Sequence, residues 1–145
     1  MKKQTQKPHI HVSAGLIRKH AELLIAKRRK GSHLAGYWEF PGGKLEKGES
    51  PQDCLEREIE EELGMKIRAG QVLLTVEHAY KDKTISLYVM NGSVLSGQPR
   101  ALECQAFKWV QIGDFRNFVF PPPDLKVIDY LSCALEQKSS FNPDP

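Results

Sequence analysis

The segment from Gly43 to Met65 reads GKLEKGESPQDCLEREIEEELGM and joins a glycine-containing loop to a carboxylate-rich stretch. Ser50 can act as a helix N-cap, Pro51 suits the first helical position, and Asp53 completes a spacing like that of a capping box. Gly64 is of the residue type that most often ends a helix. The sequence therefore predicts a helix between Ser50 and Gly64, directly after a loop.

The glutamates of this helix differ in position. Side chains at i, i+3 and i+4 share one helical face, which groups Glu58, Glu61 and Glu62. A neighbouring apolar stripe can anchor the helix to a sheet: Leu55, Ile59 and Leu63. Glu56 and Glu60 point away from both faces and are expected to be solvated. On helix geometry alone, the acidic face is either solvated or the binding site of a divalent cation, since hard cations prefer oxygen ligands.

The loop before the helix favours the metal site. Gly42 and Gly43 let the backbone approach a phosphate or offer a carbonyl group to a metal ion. The order along the chain is Gly43, five residues, Glu49, seven residues, Arg57-Glu58-Ile59, one residue, Glu61-Glu62, one residue, Gly64 and Met65. This order resembles the Nudix box at every defining position, and the chain is therefore similar to the Nudix hydrolases.

The resemblance implies a fold, a reaction and a cofactor. The fold is an α/β/α sandwich with a mixed β-sheet, in which a loop–helix–loop holds Mg²⁺, with Mn²⁺ as a substitute. Substrates of the family are nucleoside diphosphates linked to another group, and water cleaves a phosphoanhydride bond in them. The number of metal ions and the oligomeric state stay open.

Within the box, the resemblance implies a role for each member of the catalytic group. The metal ligands would be three carboxylates and one carbonyl: Glu58, Glu61, Glu62 and Gly42. Arg57 would pair with Glu49 and so orient the glutamates, and Lys44 would balance charge on the leaving phosphates. Glu58 or a nearby glutamate would help to deprotonate the attacking water.

Beyond the box, the chain resembles the MutT-like 8-oxo-dGTP diphosphatases from about Ile10 to Leu135. The segment WEFPGGK, from Trp38 to Lys44, is similar to their loop ahead of the box. Glu103 falls where they carry an additional carboxylate on a mobile loop, so it joins the implied metal ligands. Such enzymes convert a nucleoside triphosphate to the monophosphate and diphosphate. The candidate substrate-binding residues are Arg28, Glu39, Phe40, Gly43, Tyr80, Lys83 and Asp124.

One departure concerns recognition of the base. Where these diphosphatases present an asparagine, this sequence has Asp124. Asparagine donates and accepts hydrogen bonds, whereas an ionised aspartate only accepts, which suits the exocyclic amine of cytosine or the N–H groups of guanine. We expect a Mg²⁺-dependent nucleoside triphosphate pyrophosphohydrolase acting on oxidised nucleotides such as 8-oxo-dGTP. CTP or 5-hydroxy-dCTP is the alternative substrate.

Two further alternatives come from other kinds of protein. An RNA 5′-pyrophosphohydrolase would use a basic amino-terminal tail to bind RNA, and its activity on RNA would then fall steeply with salt. A non-catalytic nucleotide-binding module can share the same scaffold, as in repair glycosylases. Such modules can lack the metal carboxylates, and all of them are present here.

The rest of the chain predicts one domain. The 145 residues can bury one core, which we place at residues 9–137, between flexible tails at 1–8 and 138–145. Strand-like runs are expected at His9–Lys19, Glu22–Arg28, Val72–Val76, Thr84–Val94 and Phe107–Val110, most of Gly31–Lys47 as loop, and a final helix after Pro121-Pro122-Pro123.

Composition bounds the surroundings of the protein. No apolar run approaches the roughly 20 residues that a membrane helix needs, so we expect no membrane partner. The three cysteines are odd in number and spread out, which argues against a disulfide framework. The net charge of +3 is mild. The expected location is the cytoplasm.

Overall fold

The computed structural model describes residues 7–140, with side chains to residue 135. Its strands are β1 (His9–Lys19), β2 (Glu22–Lys27), β3 (Trp38–Glu39), β4 (Gly42–Lys44), β5 (Lys66–Ala79), β6 (Thr84–Ser96) and β7 (Ala106–Gln111). Its helices are α1 (Pro51–Leu63), a short 3₁₀ helix (Ile112–Asn117) and α2 (Pro122–Ser140).

The strands form one mixed sheet in the order β3-β2-β1-β6-β5, with β4 paired to β1 and β7 paired to β2. β1 and β6 run parallel, with Ile10 opposite Ile85 and Val12 opposite Leu87. The other pairs are antiparallel. The predicted mixed sheet is confirmed, and its centre is a pairing between strands that are more than 60 residues apart in sequence.

The sheet separates two cores, because successive side chains of a strand point to opposite faces. One core packs Ala14 and Leu16 of β1 with Val127 and Leu131 of α2. The other packs Ile17 of β1 with the apolar stripe of α1. The α/β/α arrangement expected from the sequence is therefore confirmed.

α1 begins and ends as the sequence predicts. The side chain of Ser50 accepts a hydrogen bond from the backbone N–H of Asp53 at 3.1 Å. Gly64 closes the helix in the left-handed region, with φ of 68°, and its N–H donates to the carbonyl of Glu60. Leu55, Ile59 and Leu63 are fully buried against the sheet. Each such burial contributes about 1.5–3 kcal/mol, so this stripe fixes the rotation of the helix.

Several elements differ from their predicted bounds. β5 begins at Lys66, well before the expected start at Val72, and is bulged between Ala69 and Val72 and again before Leu74. A bulge shifts the side-chain alternation by one residue, which explains why the alternation alone missed the first half of β5. β3 and β4 are short pairings inside the stretch predicted to be mostly loop.

The predicted tails are only partly described. α2 continues to Ser140, residues 141–145 lie outside the described part, and the domain boundary expected at 138 stays a prediction. Residues 1–6 also lie outside it. The two remaining residues of the predicted amino-terminal tail are bonded to the turn between β5 and β6: Lys7 Nζ donates to the carbonyl of Tyr80, and the carbonyl of Pro8 accepts from Thr84. None of the described helices has the length and apolarity needed to cross a membrane.

Candidate active site

A cavity of about 540 Å³ opens beside β4 and α1 and reaches the start of α2. Most predicted site residues line it: Arg28, Glu39, Phe40, Gly42, Gly43, Lys44, Glu58, Glu62, Tyr80, Lys83, Glu103 and Asp124. The three that do not line it, Glu49, Arg57 and Glu61, lie next to Glu58 and are connected through Arg57. The residues that the sequence analysis selected therefore converge on one place.

Arg57 is the centre of a hydrogen-bond network. Its guanidinium donates to both carboxylate oxygens of Glu49, at 2.8 and 3.0 Å. It also donates to Glu58 at 2.9 Å, to Glu61 at 3.3 Å and to the carbonyl of Lys44 at 3.1 Å. Hydrogen bonds from Arg57 lower the pKa of Glu49 to about 2. The predicted pairing of Arg57 with Glu49 is present, and it ties the loop before the helix to the acidic face.

The backbone of Gly43 lies against the carboxyl group of Glu58. A Cβ atom at position 43 would overlap that carboxyl group, and one at Gly42 would overlap the carbonyl of Ser13 on β1. The obstacle at Gly42 is backbone, so only glycine fits there, whereas the obstacle at Gly43 is the end of the flexible Glu58 side chain. Gly42 therefore packs the loop closely against β1, and Gly43 lies against the carboxyl group of Glu58.

Burial raises the pKa of two glutamates on the acidic face. The pKa of Glu62, which is only 8% exposed, rises to about 8 because of burial and the neighbouring charges of Glu39, Glu58 and Glu103. Burial also raises the pKa of Glu58, against the lowering effect of Arg57. Glu61, the third glutamate of the acidic face, is exposed. Grouping these carboxylates where water is partly excluded costs free energy unless a cation or a proton is present.

The donor set suits a divalent cation in kind, since carboxylate and carbonyl oxygens are the ligands of hard ions. Within the described residues, no three His, Cys, Asp or Glu side chains already converge as a metal-binding group. Arg57 instead holds Glu58 and Glu61 by hydrogen bonds. The gathering of four glutamates along one cavity is the observation that favours a cation here: Glu39, Glu58, Glu62 and Glu103.

Asp124 forms the far end of the cavity. It lies in the first turn of α2, is 6% exposed, and accepts a hydrogen bond from the backbone N–H of Phe40 at 3.0 Å. Burial, with the nearby charge of Glu39, raises its pKa to about 8 in spite of that hydrogen bond. One oxygen is thus committed to Phe40, which leaves Oδ1 as the oxygen that a base in the cavity could contact.

The mouth of the cavity is aromatic and basic. Lys83 lies over the ring of Tyr80 at 5.7 Å, and the ring of His33 meets the same tyrosine edge-on. Arg28 forms an ion pair with Glu39 and donates from Nε to the carbonyl of His33 at 2.7 Å. Burial and the charges of Lys83 and Arg28 lower the pKa of His33. This rim carries charge complementary to a polyphosphate.

The cavity has an apolar wall that was not predicted from the sequence. Ile10 and Val12 of β1 lie beside Ile85 and Leu87 of β6, and all four line the cavity. Alternation along each strand could have identified the shared face. It could not have indicated that the two strands pair in parallel, because a long-range pairing has no local signal.

The prediction that Glu56 is solvated is wrong. Its carboxylate is half-buried and accepts a hydrogen bond from the backbone N–H of Ala69 at 2.9 Å, at the bulge of β5. Glu60, by contrast, is exposed as predicted. Glu56 therefore anchors α1 to the edge of the sheet and takes no part in the acidic face.

The fold and the site together define a class: an α/β/α sandwich in which an acidic loop–helix–loop borders a nucleotide-sized cavity. Residues 13–130 match the family model of the NUDIX domain. The chain belongs to this family, as a MutT-like member.

Individual relatives agree with this assignment. The chain is 45% identical to an 8-oxo-dGTP diphosphatase of Proteus vulgaris over 56% of its length and 73% of that protein. It is 31% identical to the CTP pyrophosphohydrolase of Escherichia coli over 83% of its length and 89% of that protein. The crystal structure of the MutT protein from Methanosarcina mazei superposes with a TM-score of 0.80, covering 90% of this chain and 98% of that one. At 24% identity, that last likeness concerns the fold alone.

Proposed function

We propose that the protein is a Mg²⁺-dependent nucleoside triphosphate pyrophosphohydrolase that converts a (d)NTP and water to the (d)NMP and diphosphate. The observation that carries the proposal is the cavity itself, which joins the acidic face of α1 at one end to Asp124 at the other. A nucleotide spanning it would place phosphates beside the carboxylates and the base beside α2. Relatives named for 8-oxo-dGTP and for CTP support the same reaction class.

The acidic face would hold the metal through Glu58, Glu61, Glu62 and the carbonyl of Gly42, with Glu103 as an additional ligand. When bound, Mg²⁺ supplies charge neutralisation on the phosphates and makes an attacking water more acidic. Mn²⁺ shares the preference for oxygen ligands and would substitute.

The remaining residues of the chain bind, orient and move protons. Arg57 and Glu49 hold the row of glutamates in register, and Glu58 or a neighbour accepts the proton of the attacking water. Lys44, exposed beside the loop, balances charge on the leaving diphosphate. Holding water and phosphorus in a fixed geometry removes much of the entropic part of the barrier.

Asp124 would choose the base through its protonation state. With a pKa of about 8, the carboxyl group is largely protonated at neutral pH and can donate to a carbonyl oxygen, as an asparagine would. Sanitising oxidised purine nucleotides such as 8-oxo-dGTP is thus compatible with this residue. The ionised form accepts from the amine of cytosine, which keeps CTP or 5-hydroxy-dCTP hydrolysis as the second candidate. Cys54, Cys104 and Cys133 are free thiols, a state that suits the reducing cytoplasm, which is the proposed location.

A substrate panel tests the proposal: 8-oxo-dGTP, dGTP, CTP, 5-hydroxy-dCTP, ADP-ribose and 5′-triphosphorylated RNA, each with Mg²⁺ and with Mg²⁺ replaced by EDTA. We expect monophosphate and diphosphate as products, with the highest kcat/KM for 8-oxo-dGTP or a cytidine nucleotide, and no turnover in EDTA. The Glu61→Gln variant, purified in parallel, controls for contaminating phosphatases. Release of inorganic phosphate, or a preference for ADP-ribose or RNA, would refute the proposal.

A further inference from the structure

The segment between β6 and β7, residues 97–105, is fastened to α1 at its middle. The N–H of Arg100 donates to the carbonyl of Leu63 at 2.8 Å, and the N–H groups of Leu102 and Glu103 donate to the carbonyl of Glu62 at 3.1 and 3.3 Å. These acceptors belong to the last turn of the helix, where carbonyls lack partners within the helix. The segment, here called the strap, thereby holds Glu103 beside the acidic face.

The last residue of the strap, Gln105, is hydrogen-bonded to the end of β2. Gln105 donates from its backbone N–H to the carbonyl of Lys27 at 3.0 Å and from its side-chain amide to the carbonyl of Arg28 at 2.7 Å. The first bond continues the pairing of β2 with β7 past its last register pair. The second needs a side chain, because β2 has already ended and the chain is turning away.

The backbone carbonyl of Arg28 accepts hydrogen bonds from two separate segments of the chain. It also accepts from the N–H of Gly36 at 3.1 Å, which closes the loop that follows β2, and the N–H of Arg28 donates to the carbonyl of Tyr37 at 2.8 Å. The amide of Gln105 therefore adds a third hydrogen bond to the backbone of Arg28, a residue that lines the cavity and whose side chain is bonded separately to His33 and Glu39.

We propose that Gln105 is a positioning residue that sets Arg28, through its carbonyl, relative to Glu103 on the strap. The inference rests on the proposed function, with Glu103 as the additional metal ligand and Arg28 as the substrate-binding residue that the resemblance implies. Gln105 is exposed and its side-chain amide bonds a backbone carbonyl, so we place it outside both the core and the catalytic group. Its loss would change where Arg28 sits and leave the fold intact.

The test uses Gln105→Met, which keeps an unbranched side chain of similar length and removes the amide donor. Gln111→Met at the exposed far end of β7 is the matched control. The readout is the Kd of 8-oxo-dGMP and of CMP in EDTA, which needs no turnover, followed by KM and kcat with Mg²⁺. The bond between Gln105 and Arg28 exists with and without ligand, so its own energy cancels in Kd, and the effect comes from displacing Arg28. Losing part of the charge-assisted contact of Arg28 with the substrate should raise Kd and KM about fivefold, with kcat within twofold. Gln111→Met should change none of them.

A double variant, Gln105→Met with Arg28→Ala, tests the role of Gln105 separately from the proposed substrate contact of Arg28. In the Arg28→Ala background, Gln105→Met should change Kd by less than about twofold, since residues that act through one another are not additive. A full fivefold effect in that background, or no effect in the wild type, would overturn the role of Gln105 while Arg28→Ala still weakened binding. If Arg28→Ala itself left Kd unchanged, the proposed substrate contact of Arg28 would fall, and the inference with it.

Discussion

Arg57 donates to both oxygens of Glu49, from Nε at 2.8 Å and from Nη2 at 3.0 Å. This two-point contact fixes the plane of the guanidinium. Nη1 of the same plane then donates to Glu58, the next residue, and to Glu61, one turn further along the helix. An arginine that does not line the cavity thereby sets the orientation of Glu58, which does, and of its neighbour Glu61.

Replacing Arg57 with lysine should reduce activity without unfolding the protein. A lysine keeps the charge but cannot make the planar two-point contact, so the glutamates lose their common reference. Removing such supporting contacts costs about 10–100-fold in activity or metal affinity. We expect that loss in kcat/KM, with a higher Mg²⁺ concentration for half-maximal rate. Arg68→Lys on the exposed part of β5 is the control, and kcat/KM within twofold of wild type for Arg57→Lys would contradict this role.

Glu58→Gln and Glu61→Gln should each lower kcat by roughly 100-fold or more, because an amide is a much weaker ligand for a hard cation than a carboxylate. Circular dichroism should stay unchanged. Glu60→Gln on the exposed face is the matched control and should be silent. Near-wild-type turnover of both Glu58→Gln and Glu61→Gln would eliminate the assigned metal site.

Substitution of Glu56 should lower the stability of the fold and leave the activity unchanged. Glu56→Ala removes the acceptor for the N–H of Ala69 and should cost about 1 kcal/mol, or about 3 °C in Tm for a domain of this size. Glu56→Gln keeps an acceptor oxygen and should lie within about 0.5 kcal/mol of wild type. Thermal unfolding gives these values, and kcat/KM of both variants should be unchanged. A large loss of activity in Glu56→Gln would place Glu56 in the catalytic group after all.

The features that could be predicted from the sequence are those encoded within one element. The caps at Ser50 and Gly64 and the buried stripe of α1 depend on neighbours three or four residues apart, and all were confirmed. The prediction that Glu56 is solvated was wrong because a helical wheel places a side chain only relative to its own helix. It carries no information on β5, whose bulge brings the N–H of Ala69 to that side.

Long-range features could not be predicted from the sequence, for a related reason. The pairing of Ile10 with Ile85 and the bond from Gln105 to Arg28 each join residues more than 70 positions apart. The raised pKa of Asp124 depends on burial by several elements and on the charge of Glu39. The sequence identified the residue type at 124 but had no means of predicting its protonation state.

Asp124 should make the stability of the metal-free protein depend on pH. Its pKa is about 8 in the folded protein against an ordinary value of 3.8, so the folded state retains a proton that the unfolded state releases. The contribution is fully present below about pH 4, and it declines as pH rises and is lost through about pH 8. One such group gives a slope of up to about 1.4 kcal/mol per pH unit.

Urea unfolding in EDTA from pH 4 to pH 9 measures that slope. Glu62, with a pKa of about 8, acts in the same direction, so the contribution of Asp124 is the difference between the wild type and Asp124→Asn. We expect the stability of Asp124→Asn relative to wild type to increase steadily between pH 5 and pH 8. Parallel curves for the two proteins would show that the carboxyl group of Asp124 is ionised throughout.

The same protonation should set the choice of base. With a carbonyl of 8-oxoguanine against Asp124, the protonated carboxyl group donates to it below pH 8 and that bond is lost above pH 8, whereas the carboxylate accepts from the amine of cytosine. We therefore expect the ratio of kcat/KM for 8-oxo-dGTP to that for CTP to fall roughly tenfold between pH 6.5 and pH 9, the effect of one hydrogen bond gained or lost. Taking a ratio cancels the titration of groups that serve both substrates, such as Glu58. Asp124→Asn cannot change its protonation, so its ratio should be flat over this range. A ratio that falls equally in wild type and Asp124→Asn would assign the pH dependence to another group and leave Asp124 without a role in reading the base.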